Sequence, residues 1–186
     1  MGKPVLIYGS QDFAQVVRSL VEDCGLEFVG LIDDYAAGDS VLGTYAEVLT
    51  QYPPAAFDLV IAIGYNNLQA RWSVYQKVIT DGYETPALIH DRAYVSSRSR
   101  VEAGAIVMAG AIVDTFAKVQ ELAVLWPGVV VNHDSVIGAN TFLSPNSTVC
   151  GFTQVGHSCF IGAGAVVVDH RTVPDQTFVK AGCVYK

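Results

Sequence analysis

From Ile89 to Val179 an aliphatic residue stands at every sixth position without a break: Ile89, Val95, Val101, Val107, Val113, Val119, Leu125, Val131, Ile137, Leu143, Val149, Val155, Ile161, Val167, Val173 and Val179. Four residues after each, a second series is nearly all small, running from Ala93, Ser99 and Ala105 through Ser135, Thr141 and Ser147 to Cys159 and Ala165, until Arg171 breaks it. A period of six fits neither the 3.6 residues of a helical turn nor the alternation of an isolated strand. It reads as a short strand plus a corner, repeated. Three such sides make a coil of about eighteen residues, and stacked coils pair through backbone hydrogen bonds at a spacing of roughly 4.8 Å. The aliphatic residue fills the interior, and the small one leaves room where the chain turns. The spacing gives a parallel solenoid but not its hand. A purely structural or ice-binding solenoid is the alternative, and a separate folded unit in front of the array weighs against it.

That front unit is legible as strands alternating with helices. Pro4–Tyr8 is an apolar run that stops at Gly9, and Phe13–Cys24 carries helical spacing through Phe13, Val16, Val17, Leu20 and Val21. A second run, Glu27–Ile32, ends in Asp33-Asp34; a third, Phe57–Ile63, ends in Gly64-Tyr65-Asn66-Asn67 before an amphipathic stretch around Arg71–Ile79. The pattern predicts a small parallel α/β unit over residues 1–85, Rossmann-like, with the β-helix over 86–186. Ligands are expected at the carboxyl ends of its strands, which are Gly9, Asp33-Asp34 and Gly64-Asn66. The turn Gly9-Ser10-Gln11-Asp12 holds one glycine where a dinucleotide fingerprint has three, so it is a weak signal for that ligand. Thr85–Tyr94 has no Gly/Ser-rich or charged run and reads as a tight junction.

The 186 residues are 51% hydrophobic and carry a net charge of −7, a balance that argues against a nucleic-acid or anionic-membrane surface. No apolar run approaches the roughly 20 residues of a membrane span, and Met1-Gly2-Lys3-Pro4 leads into a strand pattern rather than a signal peptide. The expectation is a cytoplasmic protein without membrane insertion. Cys24, Cys150, Cys159 and Cys183 form no CxxC pair or zinc spacing and read as reduced packing residues.

Of the four histidines, His133 lies inside the array, two residues after the interior Val131, where a side chain should project outward. A histidine there, mostly neutral at neutral pH, suits the base that acyl transfer needs beside its nucleophile. Asp134 can orient it only if the chain bends between them, because neighbouring side chains of a straight strand point to opposite faces. Gly151, eighteen residues after His133, lies one coil further on the same side, which brings its backbone N–H near anything bound at the histidine. His157 falls one coil plus one side away, on a different face. No closely spaced histidine pair stands on the array, so a zinc site of the γ-carbonic-anhydrase type is not expected, nor any other metal.

Ile7-Tyr8-Gly9, Leu31-Ile32-Asp33-Asp34, Ala62-Ile63-Gly64 with Asn66 and Arg71, Leu88-Ile89-His90 and, above all, Val131-Asn132-His133-Asp134 with Val136-Ile137-Gly138 give the chain a resemblance that spans nearly its whole length. It resembles the sialic-acid O-acetyltransferase type (NeuD/PglD-like) family of hexapeptide-repeat acetyltransferases, whose relatives include N-acetyltransferases of nucleotide-linked amino sugars. The resemblance implies a left-handed β-helix and a homotrimer with its site between subunits. Acetyl-CoA would be co-substrate and a nucleotide sugar the acceptor. It makes His133 the general base, Asp134 its partner and Gly151 the oxyanion donor. Gly9, Asp33, Asp34, Gly64, Asn66, Arg71 and Trp126 would bind the nucleotide sugar, and Gly151, Gly162, Ala163 and Gly182 the coenzyme. The chain departs from the family at Gln11-Asp12, at Trp126, where an asparagine is common, and at Phe142, where some relatives have a second histidine. N-acetylation of an amino sugar is the favoured reading. O-acetylation of a sugar, or a silent nucleotide-sugar-binding module, are the alternatives.

Overall fold

The structure is a computed structural model that describes residues 2–186, and the chain divides into two compact units after Pro86. The first is built on four parallel strands, β1 (Val5–Tyr8), β2 (Phe28–Ile32), β3 (Val41–Gly43) and β4 (Asp58–Ile61), in the order β3-β2-β1-β4. β1 lies between β2 and β4 and is buried at every position, which is why it reads as an unbroken apolar run. Helix α1 (Asp12–Asp23) buries Ala14, Val17, Leu20 and Val21, whereas Val16, part of the expected apolar face, is exposed. Gly9 has a φ of 126°, and a Cβ there would sit 2.7 Å from the Ala62 carbonyl oxygen. The glycine that ends β1 therefore lets the end of β4 approach.

Helix α2 (Tyr45–Gln51) and β3 were not anticipated from the apolar runs, because both are short. A capping box begins α2: the Thr44 hydroxyl accepts from the Glu47 N–H, and the Glu47 carboxylate accepts from the Thr44 N–H at 2.8 Å. Helix α3 (Leu68–Thr80) covers the predicted amphipathic stretch and starts at Asn67, whose side chain accepts from the Ala70 N–H at 2.9 Å.

The second unit is a parallel β-helix of two-residue strands arranged in three sheets. Face 1 begins with Leu88–Ile89, face 2 with Tyr94–Val95 and face 3 with Arg100–Val101, and each strand pairs with the one eighteen residues on, as Val130↔Thr148 and Val131↔Val149 do. The aliphatic series is buried from Val107 to Val179. Ile89 is exposed and Val95 and Val101 are only partly buried, because a residue at the end of a stack has a neighbouring coil on one side only.

The small series does more than leave room. Ser135 donates its hydroxyl to the Cys150 carbonyl at 2.7 Å and accepts from the Thr153 N–H at 3.1 Å; Thr141 does the same with the Gly156 carbonyl and the Cys159 N–H. Interior hydroxyls thus tie one coil to the next while meeting backbone groups that the corner leaves open. The residue three after each aliphatic position adopts the left-handed conformation, from Gly104 and Gly110 to Gly182, and includes Phe116, Leu122, Asp134, Asn140, Asn146, Phe152, Ser158, His170 and Gln176.

Candidate active site

His133 and Asp134 occupy the corner between face 2 (Val130–Val131) and face 3 (Val136–Ile137). Asp134 has a φ of 56°, and this is the bend that a straight strand would lack. It brings the Asp134 Oδ2 to 3.1 Å from the His133 Nδ1. With Nδ1–H donated to the carboxylate, Nε2 is the unprotonated nitrogen and its lone pair is free. Both side chains are substantially open to solvent, at 49% and 38%.

One coil further along, Gly151 lies beneath the imidazole. A Cβ at this position would be 2.8 Å from the His133 Cε1 and 3.0 Å from Nε2, so only glycine lets the ring lie there. Elsewhere in the array a Cβ on Gly138 would strike the Gly156 backbone, one on Gly162 the Ala181 backbone, and one on Gly128 the Asn146 side chain. The N–H of Phe152 is taken by the His133 carbonyl at 3.2 Å, and the Gly151 carbonyl accepts from the His170 N–H at 3.1 Å. The Gly151 N–H itself has no acceptor among the described residues. The His133 imidazole and a backbone N–H without an acceptor thus belong to adjacent coils of one corner, a base and a donor of the kinds that acyl transfer uses. Phe152 packs against the imidazole edge-to-face, with centroids 5.1 Å apart, and His170 stacks on Phe152 at 4.9 Å. The period of six did not reveal these two; writing the sequence in rows of eighteen places Phe116, Asp134, Phe152 and His170 in one column.

In the first unit the acidic pair is engaged internally. Asp33 accepts from the Tyr35 and Ala36 N–H groups, each at 2.9 Å, and from the Ser10 hydroxyl. Burial pushes its carboxyl up, but these hydrogen bonds outweigh it and hold the carboxyl below the usual range. Asp34 accepts from the Tyr45 N–H at 2.8 Å, at the start of α2, and from the Tyr8 hydroxyl; burial, then Asp34, raise the Tyr8 phenol well above its ordinary range. Arg71 is fully buried in α3, and desolvation pulls its guanidinium down. Asn66 is exposed in the short 3-10 turn Tyr65–Asn67 that follows Gly64. A cleft of about 300 Å³ lies at the β1–α1 turn and is lined by Ser10, Gln11, Gln15, Leu31 and the loop Ala36–Val41. The expected strand-end residues do not line this cleft; Asp33 reaches its wall through Ser10.

Residues 4–78 match the PglD N-terminal domain, and residues 134–169 match the bacterial transferase hexapeptide (six repeats). No curated protein sequence matches the chain. The acetyltransferase domain of PglB from Neisseria gonorrhoeae is 26% identical, with all of this chain and 92% of that chain covered and a TM-score of 0.93; its complex with acetyl coenzyme A gives 0.91. PerB from Caulobacter crescentus, in complex with CoA and GDP-perosamine, is 32% identical over 98% of this chain and 88% of that chain, with a TM-score of 0.90. The chain belongs to the PglD-like family of hexapeptide-repeat acetyltransferases. It is an acyltransferase.

In this PglD-like acetyltransferase three of the four expected coenzyme residues lie apart from the histidine, and the fourth, Gly151, lies beside it. Gly162, Ala163 and Gly182 lie at the corner between face 1 and face 2, while His133 and Gly151 lie at the corner between face 2 and face 3. One chain does not bring the two groups together. Trp126 packs partly against the β-helix core and Phe142 is buried. His157 pairs with Asp175 at 3.2 Å on the third corner, and His90 lies 2.8 Å from Asp91. Among the described residues no group of three or more His, Cys, Asp or Glu side chains could hold a metal ion, and no helix is long and apolar enough to cross a membrane.

Proposed function

We propose that this PglD-like protein transfers the acetyl group of acetyl-CoA to the amino group of a nucleotide-linked amino sugar. The observation that carries the reading is the juxtaposition of the His133 imidazole, oriented by Asp134, with the free N–H of Gly151. The amine attacks the thioester carbonyl while the His133 Nε2 takes the amine proton. The Gly151 N–H donates to the oxygen that becomes negative. Collapse of the tetrahedral intermediate breaks the carbon–sulfur bond, and the imidazolium returns its proton to the departing thiolate. Related structures hold acetyl coenzyme A, or CoA with GDP-perosamine, which supports this donor and this acceptor class over O-acetylation. The first unit would hold the nucleotide part. Its cleft adjoins the start of α1, where the positive end of the helix dipole favours a diphosphate.

The working form in this reading is a cytoplasmic homotrimer. Face 2 lies between the His133 corner and the Gly162–Gly182 corner, and its outward residues, Tyr94, Ile112, Val130, Thr148, Val166 and Val184, include no charge. Subunits meeting along this face would set one chain's histidine opposite its neighbour's coenzyme corner. Turnover of acetyl-CoA, followed by thiol release with a panel of nucleotide-linked amino sugars and their hydroxyl counterparts, tests the reaction. An amino sugar should be acetylated, and His133→Ala should lower kcat by a factor of roughly 10² to 10⁴ with a smaller effect on acetyl-CoA binding. Near-parental turnover by that variant would remove His133 from the role of base.

A further inference from the structure

Phe152 holds a left-handed corner position one coil after Asp134. Its φ of 55° lies in a region where a bulky side chain crowds the following carbonyl, a conformation that Phe116, Leu122 and His170 share in this array while Gly104, Gly110, Gly128, Asn140 and Asn146 take it with less crowding. Burial does not offset this cost, because the ring is 49% exposed. The ring nevertheless has a defined environment. It stands edge-to-face against the His133 imidazole at 5.1 Å and is stacked at 4.9 Å, nearly parallel at 9°, on His170. The imidazole is thus held on three sides, by Asp134 at Nδ1, by the bare Cα of Gly151 beneath it and by Phe152 at its flank.

We propose that Phe152 is a positioning residue that fixes the rotamer of the His133 imidazole over Gly151, with His170 bracing the Phe152 ring from behind. The inference rests on the reading of His133 as the base. Asp134 restrains the imidazole through a single contact at 3.1 Å, between two side chains that are substantially open to solvent. An aromatic flank adds a second restraint without offering a competing hydrogen bond to Nε2.

The test uses Phe152→Asn, since Asn140 and Asn146 show that asparagine takes the equivalent left-handed position at the other two corners. The variant should melt about 2–4 °C higher than the parent, because left-handed strain is relieved. Its kcat should fall between about 10- and 100-fold with KM for acetyl-CoA little changed, as for a displaced catalytic group. Phe152→Tyr, which keeps the ring, should restore turnover. Diethyl pyrocarbonate should modify His133 several-fold faster in Phe152→Asn, a readout by peptide mass spectrometry that needs no acceptor. Gln176→Gly, at a different corner with a φ of 58°, should raise the melting temperature without lowering kcat. Unchanged kcat and unchanged His133 modification in Phe152→Asn, with turnover lost in His133→Ala, would overturn the positioning role and leave the base in place. Full turnover in His133→Ala would overturn the base and this inference together. A lower melting temperature with dissociation of the oligomer would assign the Phe152 ring to assembly and overturn its role at His133.

Discussion

Asp33 and Asp34 stand side by side after β2, and the two carboxylates are spent on different partners. Asp33 fixes the Tyr35–Ala36 turn and Ser10, while Asp34 caps α2 and takes the Tyr8 hydroxyl. Because the Asp33 pKa is depressed in the folded chain, its ionised form is the one the fold favours. Its contribution is fully present above the unfolded carboxyl value of about 3.9 and is lost as the pH falls through the lower folded value. Asp33→Asn should therefore flatten the fall in stability below about pH 4, and urea titrations across that range would show it. A parental slope in the variant would assign the acid transition to other carboxylates. Asp134 illustrates the other half of the residue scale. Its place after the histidine was visible, but whether it could face the imidazole depended on a φ of 56°.

At the scale of elements, the long apolar periodicities were readable and the short pieces were not. α1 and α3 lie where their spacing put them, whereas α2, of seven residues, and β3, of three, lie between the runs that were read as strands. The signature was available in Thr44-x-x-Glu47, a reciprocal cap that closes two helix-end donors. A helix this short depends on its cap, so Thr44→Ala should destabilise the first unit by about 1 kcal/mol, read from the urea midpoint. Thr44→Ser should recover most of the loss. Equal stability of Thr44→Ala and parent would mean that packing of Tyr45 and Val48, both buried, sets the helix alone. In the β-helix the corresponding cement is the interior hydroxyl ladder of Ser135, Thr141 and Thr153, which the small-residue series located but did not distinguish from plain space-filling.

For the whole molecule, the contrast between faces bears on assembly. Face 3 turns Arg100, Lys118, Val136, Gln154 and Thr172 outward, while face 2 presents six uncharged positions from Tyr94 to Val184. An apolar face of this length on the outside of a solenoid is expected to be covered, and a closed ring of identical subunits covers it without leaving an edge. Light scattering at micromolar concentration should give the mass of three chains. Val130→Lys, which places a charge on face 2, should yield smaller species with sharply reduced turnover. A stable, fully active monomer would sink the trimer and the placement of the site between subunits.

The six-residue period alone determined that the second unit is a stack of three-sided coils, because an aliphatic residue at that spacing has no other way to stay out of water. Together with the Asn132-His133-Asp134 motif it also located the candidate corner. Only the tertiary structure decided what that corner contains. The left-handed turn at Asp134, the bare Cα of Gly151 under the imidazole and the Phe152–His170 stack all arise from residues eighteen apart being brought to one coil spacing. Likewise, the sequence showed carboxylates at the strand ends of the first unit, but their hydrogen bonds to the nearby turn and to α2 depend on how the chain folds back after β2. Local spacing fixes which face a residue occupies, and long-range contact fixes which partner it spends its charge on.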